Sequence, residues 1–139
     1  MAAPEVRSPV FFETPAAFQA WLRTHHAHRD EVWVGFYKRA SGRPSITWPQ
    51  SVDEALCFGW IDGIRRSLDE RRYAIRFTPR RPQSTWSAVN IRRVKELIRL
   101  GRMQPAGLHA FEARADEKTA LSSYEQRKTA RLEAADERR

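Results

Sequence analysis

The six residues Arg72-Tyr-Ala-Ile-Arg-Phe77 constrain this chain most. In an extended strand Tyr73, Ile75 and Phe77 fall on one face and Arg72, Ala74 and Arg76 on the other. That period of two suits a half-buried antiparallel strand with its arginines toward water. A partner strand is predicted just before it, roughly Ile64 to Leu68, with the hairpin turning at Asp69-Glu70. Another is predicted from Glu31 to Arg39. There Val32, Val34, Phe36 and Lys38 alternate with Trp33, Gly35 and Tyr37, and the aromatic and β-branched content favours a strand.

Helical spacing surrounds these strands. Thr14-Pro15 reads as an N-cap with proline at the first helical position, and Phe18, Trp21, Leu22 and His25 continue a helix to about residue 28. Ala40 to Pro44 is a turn, and Ser45 to Trp48 a short extended piece. A second helix is predicted from Ser51 to about Gly59, with Ser51 and Glu54 at capping-box spacing. Gly59 and Gly63 bracket Trp60-Ile61-Asp62, where a tight turn or close backbone packing is expected. Thr78 to Gln83, broken by two prolines, is a loop. A third helix runs from about Trp86 to Leu100 and ends at Gly101, and a fourth starts after Gln104-Pro105 with Leu108 and Phe111 on it. The predicted fold class is α+β, a small antiparallel sheet with about four helices packed against it. It is read as a single domain over residues 1–125, followed by a charged tail at 126–139.

A hydrophobic share of 41% in 139 residues is enough to bury a core, which excludes a disordered or fibrous chain. No apolar run approaches the roughly 20 residues that span a bilayer. MAAPEVRSPV lacks the basic-then-apolar layout of a secretory signal, and one cysteine, Cys57, makes no intramolecular disulfide. A cytoplasmic location is therefore expected.

The formal charge of +8 is concentrated. Residues 64–102 hold 12 basic side chains against Asp69, Glu70 and Glu96, a local excess of +9, so the rest of the chain sums to −1. Arginine supplies 21 of the 25 basic residues, and its fork suits phosphate or carboxylate. A small anionic ligand and a nucleic acid are the two partner classes this block suggests. Five tryptophans in so small a domain also suggest an apolar face and a homodimer.

Few residues invite catalysis. The His25-His26-Ala-His28 run has no Cys, Asp or Glu at a convincing ligand spacing, so no metal is expected. Cys57 sits among apolar neighbours without a base beside it and reads as an inert buried thiol. Asp62 has two readings, a structural cap or arginine partner, and a group that orients a ligand. The densest constellation is Thr78, Arg80, Arg81, Ser84, Trp86, Asn90 and Arg93, which combines guanidiniums, hydroxyls, a tryptophan and a helix start. It suits an anion. A structural arginine–carboxylate network involving Asp62 is the competing reading. No catalytic residue and no cofactor is expected.

The runs Ala55-Leu-Cys-Phe-Gly-Trp-Ile-Asp-Gly63, Phe77-Thr-Pro-Arg-Arg-Pro82, Ser84-x-Trp-Ser-x-x-Asn90 and Gly101-x-Met-x-x-Ala-Gly107 resemble the YdeI/OmpD-associated family of bacteriocin-protection proteins, as do Phe18-x-x-Trp21-Leu22 and Lys38-x-x-Ser-Gly42. The resemblance covers roughly residues 10–125. It implies a small cytoplasmic protein linked to resistance to antimicrobial peptides, with Cys57, Trp60, Asp62, Thr78, Arg80, Arg81, Ser84, Trp86, Asn90 and Met103 at motif positions. Members of that family continue past the region matching Tyr124-Glu-Gln-Arg127 into a further basic helical segment, whereas this sequence stops at Arg139. The expected function is a non-enzymatic stress or bacteriocin-protection protein. Its expected site is a basic, tryptophan-lined pocket of Trp60, Asp62, Thr78, Arg80, Arg81, Ser84, Trp86, Asn90 and Arg93. Nucleic-acid binding through the 64–102 arginine face is the alternative, and an enzyme using Cys57 or Asp62 a second one.

Overall fold

Thr14 caps the first helix as its sequence predicts, its hydroxyl accepting the Ala17 N–H at 3.2 Å. In the computed structural model, which describes residues 6–118, the elements are β1 (Val10–Phe11), α1 (Pro15–His25), β2 (Val32–Tyr37), α2 (Trp48–Cys57), β3 (Trp60–Ser67), β4 (Arg72–Pro79), α3 (Ala88–Arg99) and α4 (Pro105–Lys118). The fold is α+β, a four-stranded sheet in the order β1-β2-β4-β3 with four helices. The tail read at 126–139 lies outside the described residues.

The strands β2, β4 and β3 pair antiparallel, as the alternation predicts. Val32, Val34 and Phe36 stand opposite Phe77, Ile75 and Tyr73, so this row of side chains faces one layer. Phe77 meets Phe18 of α1 edge-on at 5.4 Å, which identifies the helix-covered face. One feature departs from expectation. The sheet is mixed, because β1 pairs parallel to β2. β2 is buried from Val32 to Phe36, and Phe11 lies over Gly35. A Cβ on Gly35 would run into the Phe11 ring, so glycine is what lets β1 dock.

The second helix starts earlier than predicted. Thr47 Oγ1 accepts from the Gln50 N–H at 3.3 Å, and Gln50 Oε1 accepts from the Thr47 N–H at 3.0 Å, a reciprocal capping box. Pro49, needing no donor, fits the first turn. Ser51 and Glu54 are thereby inside the helix and buried. Trp60-Ile61-Asp62 is strand rather than turn, paired with Pro79, Thr78 and Phe77. Gly59 alone makes the turn, at φ +78°, and Gly63 sits in a bulge between Asp62 and Arg65.

Two glycine positions fix the last two helices. Gly101, at φ +72°, ends α3, and the Arg102 N–H closes on the Leu97 carbonyl at 3.0 Å. Gly107 of α4 lies so close to the Cys57 carbonyl that a Cβ has no room. The Gln104 N–H donates to that carbonyl at 2.9 Å. The α4 start is therefore pinned to the end of α2, beside the start of β3.

Candidate functional site

The site grows from the end of the β3–β4 ladder. The Arg80 N–H donates to the Gly59 carbonyl at 2.9 Å, which holds the outgoing loop against the α2–β3 corner. The loop then folds back, with the Ser84 N–H on the Arg81 carbonyl at 3.0 Å. The Arg80 guanidinium lies over the Trp86 ring, 3.8 Å from its centroid. Its Nε donates to Ser84 Oγ at 3.2 Å and its Nη2 to the Thr85 carbonyl at 3.0 Å. Trp86, 7% exposed, meets Phe111 of α4 edge-on at 5.5 Å. Cation–π contact and two hydrogen bonds fix this guanidinium before any ligand arrives.

A cleft of about 350 Å³ opens beside it, between the α2–β3 corner, the loop and α4. Trp60, Arg80, Arg81 and Trp86 line it together. Ser84 reaches it through Arg80. The rest of the lining includes Phe58, His26, His109 and a row of alanines from α4. His26 Nδ1 lies 2.8 Å from the Leu22 carbonyl, and its ring 5.2 Å from Phe58. His26 and His109 carry no spacing signal that would have found them. Phe58 stood inside the Cys-Phe-Gly-Trp motif, and Ala106, Ala110 and Ala113 fall at helical spacing.

The other predicted site residues lie elsewhere. Asp62 takes the Trp48 indole N–H at 3.0 Å, so the arginine expected beside it is replaced by a tryptophan from α2. They line a separate groove of about 410 Å³ with Arg65 and Tyr73, where the Arg65 guanidinium sits 3.8 Å from the Tyr73 ring. Thr78 is half-buried in β4 opposite Ile61. Asn90 belongs to the first turn of α3, and its backbone N–H is capped by Ser87 Oγ at 3.1 Å. Arg93, one turn on, is engaged by a carboxylate of α2. Both arms of Arg93 grip Asp53, at 2.7 and 2.6 Å.

Much of the arginine block is met by carboxylates. Arg72 pairs with Asp69, Arg76 with Glu31, Arg93 with Asp53, Arg99 with Glu96 and Arg102 with Glu54. Five of the basic side chains of 64–102 are thus locally neutralised, and three of the five acids come from outside that segment. Glu54 is 4% exposed, and burial raises its carboxyl above the usual range despite Arg102 at 2.7 Å. Burial, reinforced by Glu54, pushes the Cys57 thiol up to about 11. A thiol so protonated is a poor nucleophile at neutral pH. His25 Nδ1 and His28 Nε2 are 3.4 Å apart, and no cluster of three metal-ligating side chains occurs among the described residues.

The class is therefore a small α+β domain with a compact, arginine-rimmed cleft. The chain matches a domain of unknown function, DUF8412, over residues 10–110 and belongs to that family. That span includes every predicted site residue and all of the lining of both grooves named above except Ala113. No curated protein and no solved structure matches it. No helix among the described residues is long and apolar enough to cross a membrane.

Proposed function

We propose that this protein is a non-enzymatic binding module whose cleft takes a small anion, acting in bacterial stress or bacteriocin protection as the resemblance of its motifs implies. The observation that carries the binding reading is the Arg80 guanidinium fixed on Trp86 with Arg81 beside it at a cleft of about 350 Å³. Arg80, with Nε and Nη2 engaged, holds the loop that carries Arg81 at the cleft, and Arg81 supplies the fork for carboxylate or phosphate. A cationic peptide is a poor direct ligand for a +8 protein, so protection would run through the anion. A cytoplasmic location fits the same reading, with Cys57 reduced and buried.

Nucleic-acid binding is the weaker reading, because five of the arginines that would track a backbone are engaged with carboxylates. Calorimetric titration with a panel of small carboxylates and phosphates, and with single-stranded and duplex oligonucleotides, separates the two. One-to-one binding of a small anion with a shallow salt dependence, lost in Arg81→Ala, supports the proposal. Oligonucleotide binding that falls steeply with salt, with no small anion bound, overturns it in favour of nucleic acid.

A further inference from the structure

The cleft has a chemistry more particular than positive charge. Its walls are mostly apolar. Phe58, Trp60 and Trp86, themselves nearly buried, form its floor, and Ala106, Ala110 and Ala113 of α4 line it together with His109. The α4 wall is held close, because a Cβ at Gly59 would come within 3.0 Å of the Ala106 carbonyl and 3.3 Å of Ala110 Cβ. A volume of about 350 Å³ lies at the small end of the roughly 300–1,000 Å³ usual for ligand pockets. A polyphosphate or a dinucleotide would leave oxygens without donors against such walls, at a cost of about 1–3 kcal/mol each. A volume of this size holds one or two rings.

The polar groups sit at defined places. Arg81 is exposed and lines the cleft, while Arg80 is already oriented by Trp86, Ser84 and Thr85. His26 adds a different function. The Leu22 carbonyl only accepts, so His26 Nδ1 must be the donor across their 2.8 Å contact. His26 lines the cleft, and in the neutral ring its Nε2 is then a lone-pair acceptor. An anion alone leaves that acceptor unused. A ligand with an N–H or O–H on its ring satisfies it.

We infer that the cleft binds a flat aromatic monoanion of one or two rings that also carries a ring hydrogen-bond donor, with Arg81 at the anionic head and His26 Nε2 at the donor. The inference rests on the anion-binding reading above and narrows it to one ligand class. Indole-3-carboxylate has the full set of features. 1-Naphthoate lacks the donor, indole lacks the charge, and inorganic phosphate lacks the ring.

The test is calorimetric titration of the full chain with these four probes at neutral pH and moderate salt. Indole-3-carboxylate is expected to bind one-to-one, about tenfold tighter than 1-naphthoate and tighter still than indole or phosphate. Arg81→Ala should weaken both carboxylates about tenfold or more and leave indole unchanged. His26→Phe keeps a ring against Phe58 but removes the acceptor, and should erase the preference for indole-3-carboxylate over 1-naphthoate. Circular dichroism of both variants verifies that they fold. If phosphate binds and neither aromatic acid does, the ligand class is wrong while the anion site stands. Failure of all four probes overturns both. Aromatic acids that bind Arg81→Ala as tightly as the unchanged protein would also overturn the assignment, as would an indole-3-carboxylate preference that survives His26→Phe.

Discussion

Arg93 holds both carboxylate oxygens of Asp53, with Nε at 2.7 Å and Nη2 at 2.6 Å, and so straps the middle of α3 to α2. Arg102, just past the end of α3, makes a second such connection, reaching Glu54 at 2.7 Å. Two adjacent acids of α2 thus take two arginines from the α3 region.

The Arg93 side chain is 40% exposed, so solvent screens the pair and its contribution is about 1 kcal/mol. Arg93→Ala is expected to lower the urea unfolding free energy by about that amount, and Asp53→Ala by a similar one, with most of the loss shared in the double mutant. Anion binding should not change. A variant of unaltered stability that no longer binds the anion would place Arg93 in the site instead.

Glu54 gives stability a pH dependence of definite sign. Its carboxyl is raised by burial above 4.5, so the folded protein keeps a proton that the unfolded chain has released. That favours the folded state in acid, and the contribution is lost as pH rises from about 4.5 through the folded value. Glu54→Gln removes the titration. The difference in urea midpoint between Glu54→Gln and the unchanged protein should move in the variant's favour between pH 4 and pH 7. A difference constant with pH would show that Glu54 ionises normally.

Cys57, 1% exposed with its thiol pushed up to about 11, should resist a thiol reagent at pH 8 in the folded protein and react promptly in urea. Rapid stoichiometric labelling under native conditions would revive the nucleophile reading.

Gly107 is the tightest helix contact at the site. Gly107→Ala forces a methyl into the Cys57 backbone carbonyl and should cost about 3 kcal/mol or more, prising α4 from the cleft. Gly42→Ala, at φ +72° in open space, serves as a control and should cost about 1 kcal/mol. Equal losses by denaturation would contradict the contact.

The hairpin, β2 and the helices were legible because alternation, helical spacing and proline or glycine punctuation are local. β1 was not, since a two-residue strand is specified by Phe11 lying over Gly35 across the sheet. The start of α2 is ambiguous in sequence because Ser51 and Glu54 also have capping-box spacing, and burial rather than spacing separates them from Thr47 and Gln50. Within the site, Arg80, Ser84 and Trp86 come together because they are neighbours along one loop. Asp62 and Arg93 were drawn away by Trp48 and Asp53, partners that only tertiary packing brings near.

The order β1-β2-β4-β3 has a consequence in time. β3 and β4 meet across a short turn, cinched by Asp69 accepting from Arg71 and Arg72 at 2.8 Å, so this ribbon forms at little loop-closure cost. β2 joins β4 only when the chain has looped back over the whole of α2, and β1 follows through two residues. The barrier to folding is therefore expected to fall before β1 docks. Val10→Ala should steepen escape from the native state while leaving its formation rate nearly untouched, a split that stopped-flow chevrons resolve.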